Sequence, residues 1–240
     1  MKKIIIALLC LPMFAGAQSL IGGKNILKWS LSSLVLKNYH FTYERSLAKH
    51  LSFSISYRTM PKGSVPFQSQ LEKAINSPDI NFSSFQMGNT AWTTELRFYT
   101  GPGNMKGFYL APYLRFANFD LSAPIKYTNG TITEEASFVG NIKSTSPGLM
   151  IGWQFKIATK LVLDLQLIGG HYGNSNGNLN FTSATPLNSQ EQDDLRQNLA
   201  DIEPDPFKFT STVTANGAQI KTDGPWAGIR GANISIGFRF

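Results

Sequence analysis

The sequence is almost without cysteine: its 240 residues include one, Cys10. That cysteine lies in an amino-terminal segment with the features of a secretory signal peptide, which are two basic residues, an apolar stretch over 4–11 and an A-x-A motif at 15–17. We therefore expect residues 1–17 to be removed after export. The mature chain, 18–240, is long enough for one domain.

The loss of Cys10 with the signal peptide excludes two kinds of stabilisation. The mature chain can form neither a disulfide nor a thiolate metal site, so its stability must come from burial and strand pairing. Lipid anchoring through Cys10 is the lesser alternative, because Leu9 stands where a lipoprotein signal has a small residue.

Long hydrophobic runs and charge runs are also lacking. No stretch after the signal peptide approaches the roughly 18 apolar residues of a membrane-spanning helix, so any membrane span must consist of β-strands. Removal of the two signal-peptide lysines lowers the formal net charge from +7 to +5. Basic residues do not cluster with aromatic ones, which is evidence against nucleic-acid binding. We expect this charge to attract anionic head groups of outer-membrane lipid or polysaccharide.

Metal-binding patterns are missing as well. The three histidines are His40, His50 and His171, and no two of them have ligand spacing. The acidic residues between 193 and 205 do not follow the spacing of a calcium-binding EF-hand loop. We expect no metal and no cofactor.

What the sequence does contain is alternation of apolar with small or polar residues. Alternate residues of a strand face opposite sides, so each such segment predicts a strand with one apolar face. Eight segments alternate in this way: 25–36, 39–47, 51–58, 91–100, 109–116, 146–157, 161–167 and 231–240.

The connections between these segments alternate in length. Short turns follow the second, fourth and sixth segments, and long connections, 60–90, 118–145 and 173–226, follow the third, fifth and seventh. This arrangement is typical of outer-membrane proteins. It predicts an all-β fold: a single eight-stranded antiparallel up-and-down transmembrane β-barrel with short periplasmic turns and long external loops.

Two motifs carry a resemblance to known proteins. The last strand ends in Phe238 and Phe240, which resembles the assembly signal of Gram-negative outer-membrane β-barrels and implies recognition by the barrel assembly machinery. The segment 43–50, Tyr-Glu-Arg-Ser-Leu-Ala-Lys-His, is echoed at 153–160 and resembles an uncharacterised branch of small outer-membrane barrels, OmpA- and OmpX-like in size. The resemblance implies an outer-membrane location and supplies no catalytic residues.

Charged residues fall on the inward face of the predicted strands. An eight-stranded barrel is filled by its own side chains, and charges buried there must pair. We expect a polar network that plugs the interior, with a narrow channel as the alternative. Its predicted members are Lys28, Glu44, Arg58, Glu95, Arg97, Arg115, Lys156, Asp164 and Arg239.

Several apolar residues lie in the predicted long loops, outside the predicted strands. Ser189 and Gln192 have capping-box spacing, and a short amphipathic helix should follow them. Apolar loop side chains often contact a partner. The candidates here are Phe67, Phe82, Phe85, Leu195, Leu199, Ile202 and Phe207.

These observations lead to one functional hypothesis and an alternative. We expect a non-enzymatic barrel whose external loops bind an envelope protein or a surface ligand, as an accessory subunit of an outer-membrane complex. The enzymatic alternative is a lipid-modifying hydrolase near His171, where Tyr172 and Ser175 lie close in sequence. A triad is defined by geometry, which the sequence does not provide.

Overall fold

The computed structural model describes residues 23–64, 85–129, 132–200, 206 and 208–240, with the backbone alone for 123–129, 132–135 and 137. The predicted signal peptide and the loop residues Phe67, Phe82, Ile202 and Phe207 lie outside the described residues.

Nine strands and two short helices make up the described chain. In order they are β1 (Asn25–Ser30), α1 (Ser32–Val35), β2 (Tyr39–Ala48), β3 (Leu51–Ser64), β4 (Gln86–Tyr99), β5 (Gly107–Asn129), β6 (Ile132–Lys156), β7 (Leu161–Thr182), α2 (Ser189–Ala200), β8 (Lys208–Thr214) and β9 (Gly217–Arg239). Neither described helix is long and apolar enough to cross a membrane.

The strands form one antiparallel up-and-down sheet that closes on itself. Strands β1 to β7 pair in chain order, β7 pairs with β9, and β9 returns to β1. The closing contact aligns Leu27 with Phe238 and Trp29 with Ile236. The short β8 pairs with the first part of β9. The described chain is therefore a closed ring of antiparallel strands, with β8 inside the last long connection.

The two faces of the ring have opposite chemistry. On β4, Glu95 and Arg97 are buried inside the ring, whereas Trp92 of the same strand is 52% exposed on the outer face. Large exposed apolar side chains recur on the outside of the other strands, and the buried ones are mostly polar. A protein that folds in water buries its apolar side chains, so this inversion indicates an outer face made for lipid.

The strand boundaries correct several predictions. The first strand ends at Ser30 and not at 36, because the chain turns into α1, where the hydroxyl of Ser33 bonds to that of Ser30 at 2.7 Å. Much of the predicted loop 118–145 is strand, since β5 continues to Asn129 and β6 begins at Ile132. Within 173–226, β7 reaches Thr182 and β9 starts at Gly217. The described chain has nine strands, one of which is the short β8, and the count of eight membrane-crossing strands stays a prediction.

The missed segments differ in their sequence pattern. Residues 173–178 of β7 are all Gly, Asn or Ser, and a strand that continues into water needs no apolar face, so this pattern resembles that of a loop. In β5, Phe119, Leu121 and Ile125 alternate with polar residues, so a strand signal was present there and was missed. We call this part of the ring the extended end, and the part with the turns at 49–50, 100–106 and 157–160 the short-turn end.

Candidate functional site

The centre of the ring holds a network of buried charges. The ammonium nitrogen of Lys28 lies 2.5 Å from Glu44 Oε2 and 2.6 Å from Asp164 Oδ2. Arg97 reaches Asp164 Oδ2 at 2.6 Å and Glu95 Oε2 at 2.7 Å. All five side chains are at most 2% exposed. We call these five residues, which come from β1, β2, β4 and β7, the central network.

Neutral side chains complete the hydrogen bonding of the central network. The hydroxyl of Tyr99 donates to Glu44 Oε1 at 2.6 Å, and that of Tyr109 donates to Asp164 Oδ1 at 2.8 Å. Lys28 also donates to Gln154, whose amide nitrogen donates to the carbonyl of Met105 in the turn after β4. A buried charge network is stable only when its members are satisfied in this way.

Two glycines make room for the interior tyrosines. A Cβ at Gly152 would lie 2.3 Å from the hydroxyl oxygen of Tyr109, and one at Gly148 would lie 2.4 Å from Cζ of Tyr113. The hydroxyl ends of both tyrosines therefore lie against a glycine of β6. This close approach sets the position from which Tyr109 reaches Asp164.

A second charged region lies between the central network and the extended end. Arg58, Arg115, Arg230 and His40 line one cavity of about 440 Å³, which we call the arginine cavity. Among the described ion pairs, one joins it to the central network: Arg230 Nη1 lies 3.4 Å from Glu95 Oε1.

The three guanidinium groups of the arginine cavity have mostly neutral partners. Arg58 donates to Asn89 Oδ1 at 2.5 Å, and Arg115 donates to Thr93 Oγ1 at 3.2 Å. The guanidinium carbon of Arg230 lies 4.7 Å from the ring centre of Tyr113, a cation–π distance. This region therefore carries more positive than negative charge.

The predicted interior residues divide into three groups. Lys28, Glu44, Glu95, Arg97 and Asp164 form the central network, and Arg58 and Arg115 lie in the arginine cavity. The other two lie at the short-turn end: Lys156 is exposed, and Arg239 donates to the carbonyl of Gly23 at 2.5 Å. The central network does not include Lys156 and Arg239, because they are the last residues of β6 and β9 and lie beyond the level of the buried charges.

Arg230 is the interior residue that sequence reasoning missed. The predicted last strand began one residue later, and alternation from that strand would have placed residue 230 on the outer face. Ala232 has a positive φ of 50°, and both it and Leu167 opposite it are left out of the pairing between β7 and β9. The register is the same on either side of this point, so the two strands change phase together, and Arg230 and Asn233 both face inward.

The predicted loop helix is present as α2, with a different cap. The side chain of Asn188 accepts a hydrogen bond from the backbone N–H of Glu191 at 3.0 Å, and Glu191 accepts one from the N–H of Asn188 at 2.8 Å. This reciprocal pair is a capping box one residue before the predicted Ser189 and Gln192. Leu195 and Leu199 of α2, which packs against β8, are half-buried, as is Phe85 just before β4.

The region around His171 lacks the arrangement of a triad. Its Nδ1 lies 3.1 Å from the hydroxyl of Tyr113, whereas Ser175 donates to the carbonyl of Gly224 at 3.2 Å. Tyr172 is exposed. Among the described residues, no group of three or more histidine, cysteine or acidic side chains is placed to hold a metal ion.

Comparison with known proteins gives distant likenesses of fold. No family model matches the sequence, and no curated protein matches it. Acinetobacter baumannii CarO is 12% identical, with a TM-score of 0.44 over 90% of this chain and 96% of its own. The outer-membrane protease OmpT of Escherichia coli is 8% identical, with a TM-score of 0.39 over 90% and 93%. The translocator domain of the Neisseria meningitidis autotransporter NalP is 8% identical, with a TM-score of 0.33 over 100% and 97%.

At these TM-scores the likenesses transfer no activity, ligand or partner. The ring itself indicates where the protein lies, because a closed antiparallel ring leaves no unpaired edge in lipid, and its outer face here is apolar. The protein is located in the outer membrane. The polar interior and the extended end remain as its candidate functional regions.

Proposed function

We propose that this protein is a non-enzymatic outer-membrane β-barrel whose external part binds an envelope protein or a surface ligand. Eight strands, β1 to β7 and β9, cross the membrane, and β8 with α2 lies outside it. In this arrangement the extended end faces the exterior and the protein serves as an accessory subunit of an outer-membrane complex.

The length of the strands carries this proposal. A strand crosses the bilayer with about 9–11 residues. Strands β5, β6, β7 and β9 have 22 to 25 residues each, at least twice that length. Pairing between β5 and β6 is continuous as far as Asn129 and Ile132. Crossing the membrane does not require this extension, so binding outside the membrane is the role it supports best.

Polar side chains on the outer face of the extension favour a ligand rich in hydroxyl groups. A surface cavity of about 540 Å³ across the extended strands is lined by Asp120, Asn141, Asn178 and Asn180, among others. Strand pairing sets Asp120, Asn141 and Asn178 side by side, and the amide nitrogen of Asn141 donates to Asp120 Oδ1 at 2.7 Å, which holds the carboxylate in place. Amide and carboxylate groups both accept hydrogen bonds, and the amides also donate them, so a glycan suits this surface.

The described structure offers no specific support for the two alternatives, a narrow channel and a hydrolase near His171. The central network fills the interior with Arg97 completely buried, which is unfavourable for a channel. His171 contacts Tyr113 and not Ser175, so a hydrolase has no assembled nucleophile there.

The test replaces residues 186–208, which contain α2, with a glycine-serine linker of equal length. The full-length protein is extracted in mild detergent from its native membrane, and its companions are identified by native gel and mass spectrometry. A matched control replaces 158–160, at the short-turn end, with Gly-Ser-Gly. We expect a stoichiometric partner or bound glycan that is lost from the first variant and kept by the control. Companions that stay unchanged in both variants would contradict the proposal.

A further inference from the structure

We propose that the arginine cavity binds a phosphate group, carried by a lipid headgroup or free in solution. This inference is independent of binding by the external extension, because it concerns side chains inside the ring. It rests on a charge imbalance, on unpartnered polar atoms and on a seam in the wall of the ring.

In the described part of the chain, the arginines of the cavity have fewer counter-charges than they need. Among the residues that the structure describes, no carboxylate forms an ion pair with Arg58 or Arg115. The single carboxylate near Arg230 is Glu95, which already binds Arg97 at the shorter distance of 2.7 Å. Arg115 is only 6% exposed. Burial of an unpaired charge is costly, so an anion from outside the chain should neutralise the cavity.

Polar atoms without partners line the same cavity. Arg58 Nε and Asn38 Oδ1 are both buried and have no hydrogen-bond partner in the structure. The hydroxyl-bearing Ser33 and the amide Gln166 also line it. Guanidinium groups present several N–H donors in one plane, which matches the oxygens of a phosphate. A phosphate held by three arginines would therefore supply the acceptor that Arg58 Nε lacks.

The wall of the ring is incomplete beside the cavity. Within the described strands, residues 224–233 of β9 pair only with β7, because β1 ends at Ser30 and β8 ends its pairing at Asp223. The helical turn α1 packs here, and its Ser32 hydroxyl accepts a hydrogen bond from the N–H of Ile234 at 3.0 Å. We call this gap between α1 and β9 the seam.

The seam joins the cavity to the outer surface. Arg115 inside the ring and Ile229, which is 83% exposed, line the same cavity. The positive φ of Ala232 in the seam turns Arg230 and Asn233 inward together, and backbone outliers of this kind cluster at binding sites. Arg58 follows Tyr57, whose ring packs on Trp92 at 4.7 Å. Outward Trp and Tyr side chains mark the level of lipid headgroups, so the seam lies where lipid phosphates are found.

An apolar groove next to the seam favours the lipid-borne phosphate. The groove has a volume of about 450 Å³ and is lined by Leu149, Ile151, Ile168, Gly169, Gly170 and Ile229. Ile229 lines both the groove and the arginine cavity. An acyl chain in the groove would place its headgroup at the seam.

The experiment uses the full-length protein purified in a nonionic detergent. Binding of inorganic phosphate is measured by titration calorimetry, and retention of phosphatidylglycerol against phosphatidylcholine is measured by native mass spectrometry. The test variant is Arg115→Gln. Arg115 donates its one described hydrogen bond to the neutral hydroxyl of Thr93, so the substitution breaks no described ion pair. The matched control is Lys156→Gln, which removes one positive charge at the short-turn end. Arg58→Gln replaces the test variant if Arg115→Gln does not show the heat-dependent gel mobility of a folded barrel.

We expect at least one phosphate source to bind, and Arg115→Gln to weaken that binding tenfold or more while Lys156→Gln leaves it unchanged. Retention of phosphatidylglycerol alone identifies a lipid headgroup, and binding of inorganic phosphate alone identifies a soluble anion. The absence of binding by both probes overturns the proposal. Equal weakening by the two variants also overturns it, because it would show a general effect of net charge.

Discussion

Replacement of Asp164 by asparagine tests the central network directly. Its carboxylate receives Lys28 and Arg97 at 2.6 Å each and the Tyr109 hydroxyl at 2.8 Å. Asp164→Asn keeps the shape of the side chain and removes its charge, which leaves the two cations with two carboxylates that are already engaged. The loss of one member of a buried ion pair costs about 3–5 kcal/mol. We expect the free energy of unfolding to fall by about that amount.

Equilibrium unfolding in urea provides the measurement, with the protein refolded into detergent or lipid vesicles. The four tryptophans provide a fluorescence signal. Asp193→Asn serves as the control, since its carboxylate pairs with Arg196 on α2 and is 65% exposed. Exposed pairs contribute under about 1 kcal/mol, so this control should remain close to the wild type.

A double variant separates loss of charge balance from loss of shape. Lys28→Met removes one cation, so Lys28→Met with Asp164→Asn returns the charge sum of the central network to its wild-type value. The combined loss should be smaller than the sum of the two single losses by about 1–3 kcal/mol. If Asp164→Asn lies within 1 kcal/mol of the wild type, or no further from it than Asp193→Asn, the reasoning about buried charge is wrong.

Three further predictions concern packing, conductance and the loop helix. Gly152→Ala should displace Tyr109 from Asp164 and lower the free energy of unfolding by about 2–4 kcal/mol, whereas Gly170→Ala, with no atom within 4 Å of the new Cβ, should have little effect in the same urea titration. The wild-type protein should stay silent in a planar bilayer, and ion-selective steps that change with Arg97→Ala would show that the interior conducts. Asn188→Ala should destabilise α2 by about 1 kcal/mol, seen as faster amide exchange in 189–200 with unchanged exchange in β5, and equal exchange in both proteins would rule out the cap.

Alternation in the sequence was enough to predict the ring where its strands cross lipid. There each strand has an apolar and a polar face, so the inward positions of Glu44, Glu95 and Asp164 follow from the alternation of residues between the two faces. The extension of β7 could not be predicted in this way, because its residues 173–178 are all Gly, Asn or Ser and its strand structure depends on pairing with a neighbour. The extension of β5 does alternate, at Phe119, Leu121 and Ile125, and was missed because the whole segment was assigned to a long connection.

The arginine cavity shows a different limit. Arg58 and Arg115 follow from alternation, but Arg230 depends on an irregular backbone at Ala232, where an alanine takes a conformation that glycine or asparagine usually takes. Nothing about an alanine signals such a turn. The cap of α2 was misplaced by one residue for a related reason: Asn188 and Ser189 are both good caps, and the entry angle of the chain decides between them.

The position of Lys28 has a consequence for how the protein assembles. Its ammonium group, on the first strand, binds a carboxylate 136 residues later on the seventh. An open sheet of the first six strands would hold Lys28 and Arg97 without Asp164, the acceptor that both of them share, and its polar face would meet lipid. Closure of the ring and completion of its buried hydrogen bonding are thus one event. A half-inserted sheet has little stability of its own, so folding into the membrane should be all-or-none, and a chain that stalls before β7 should be released to proteases.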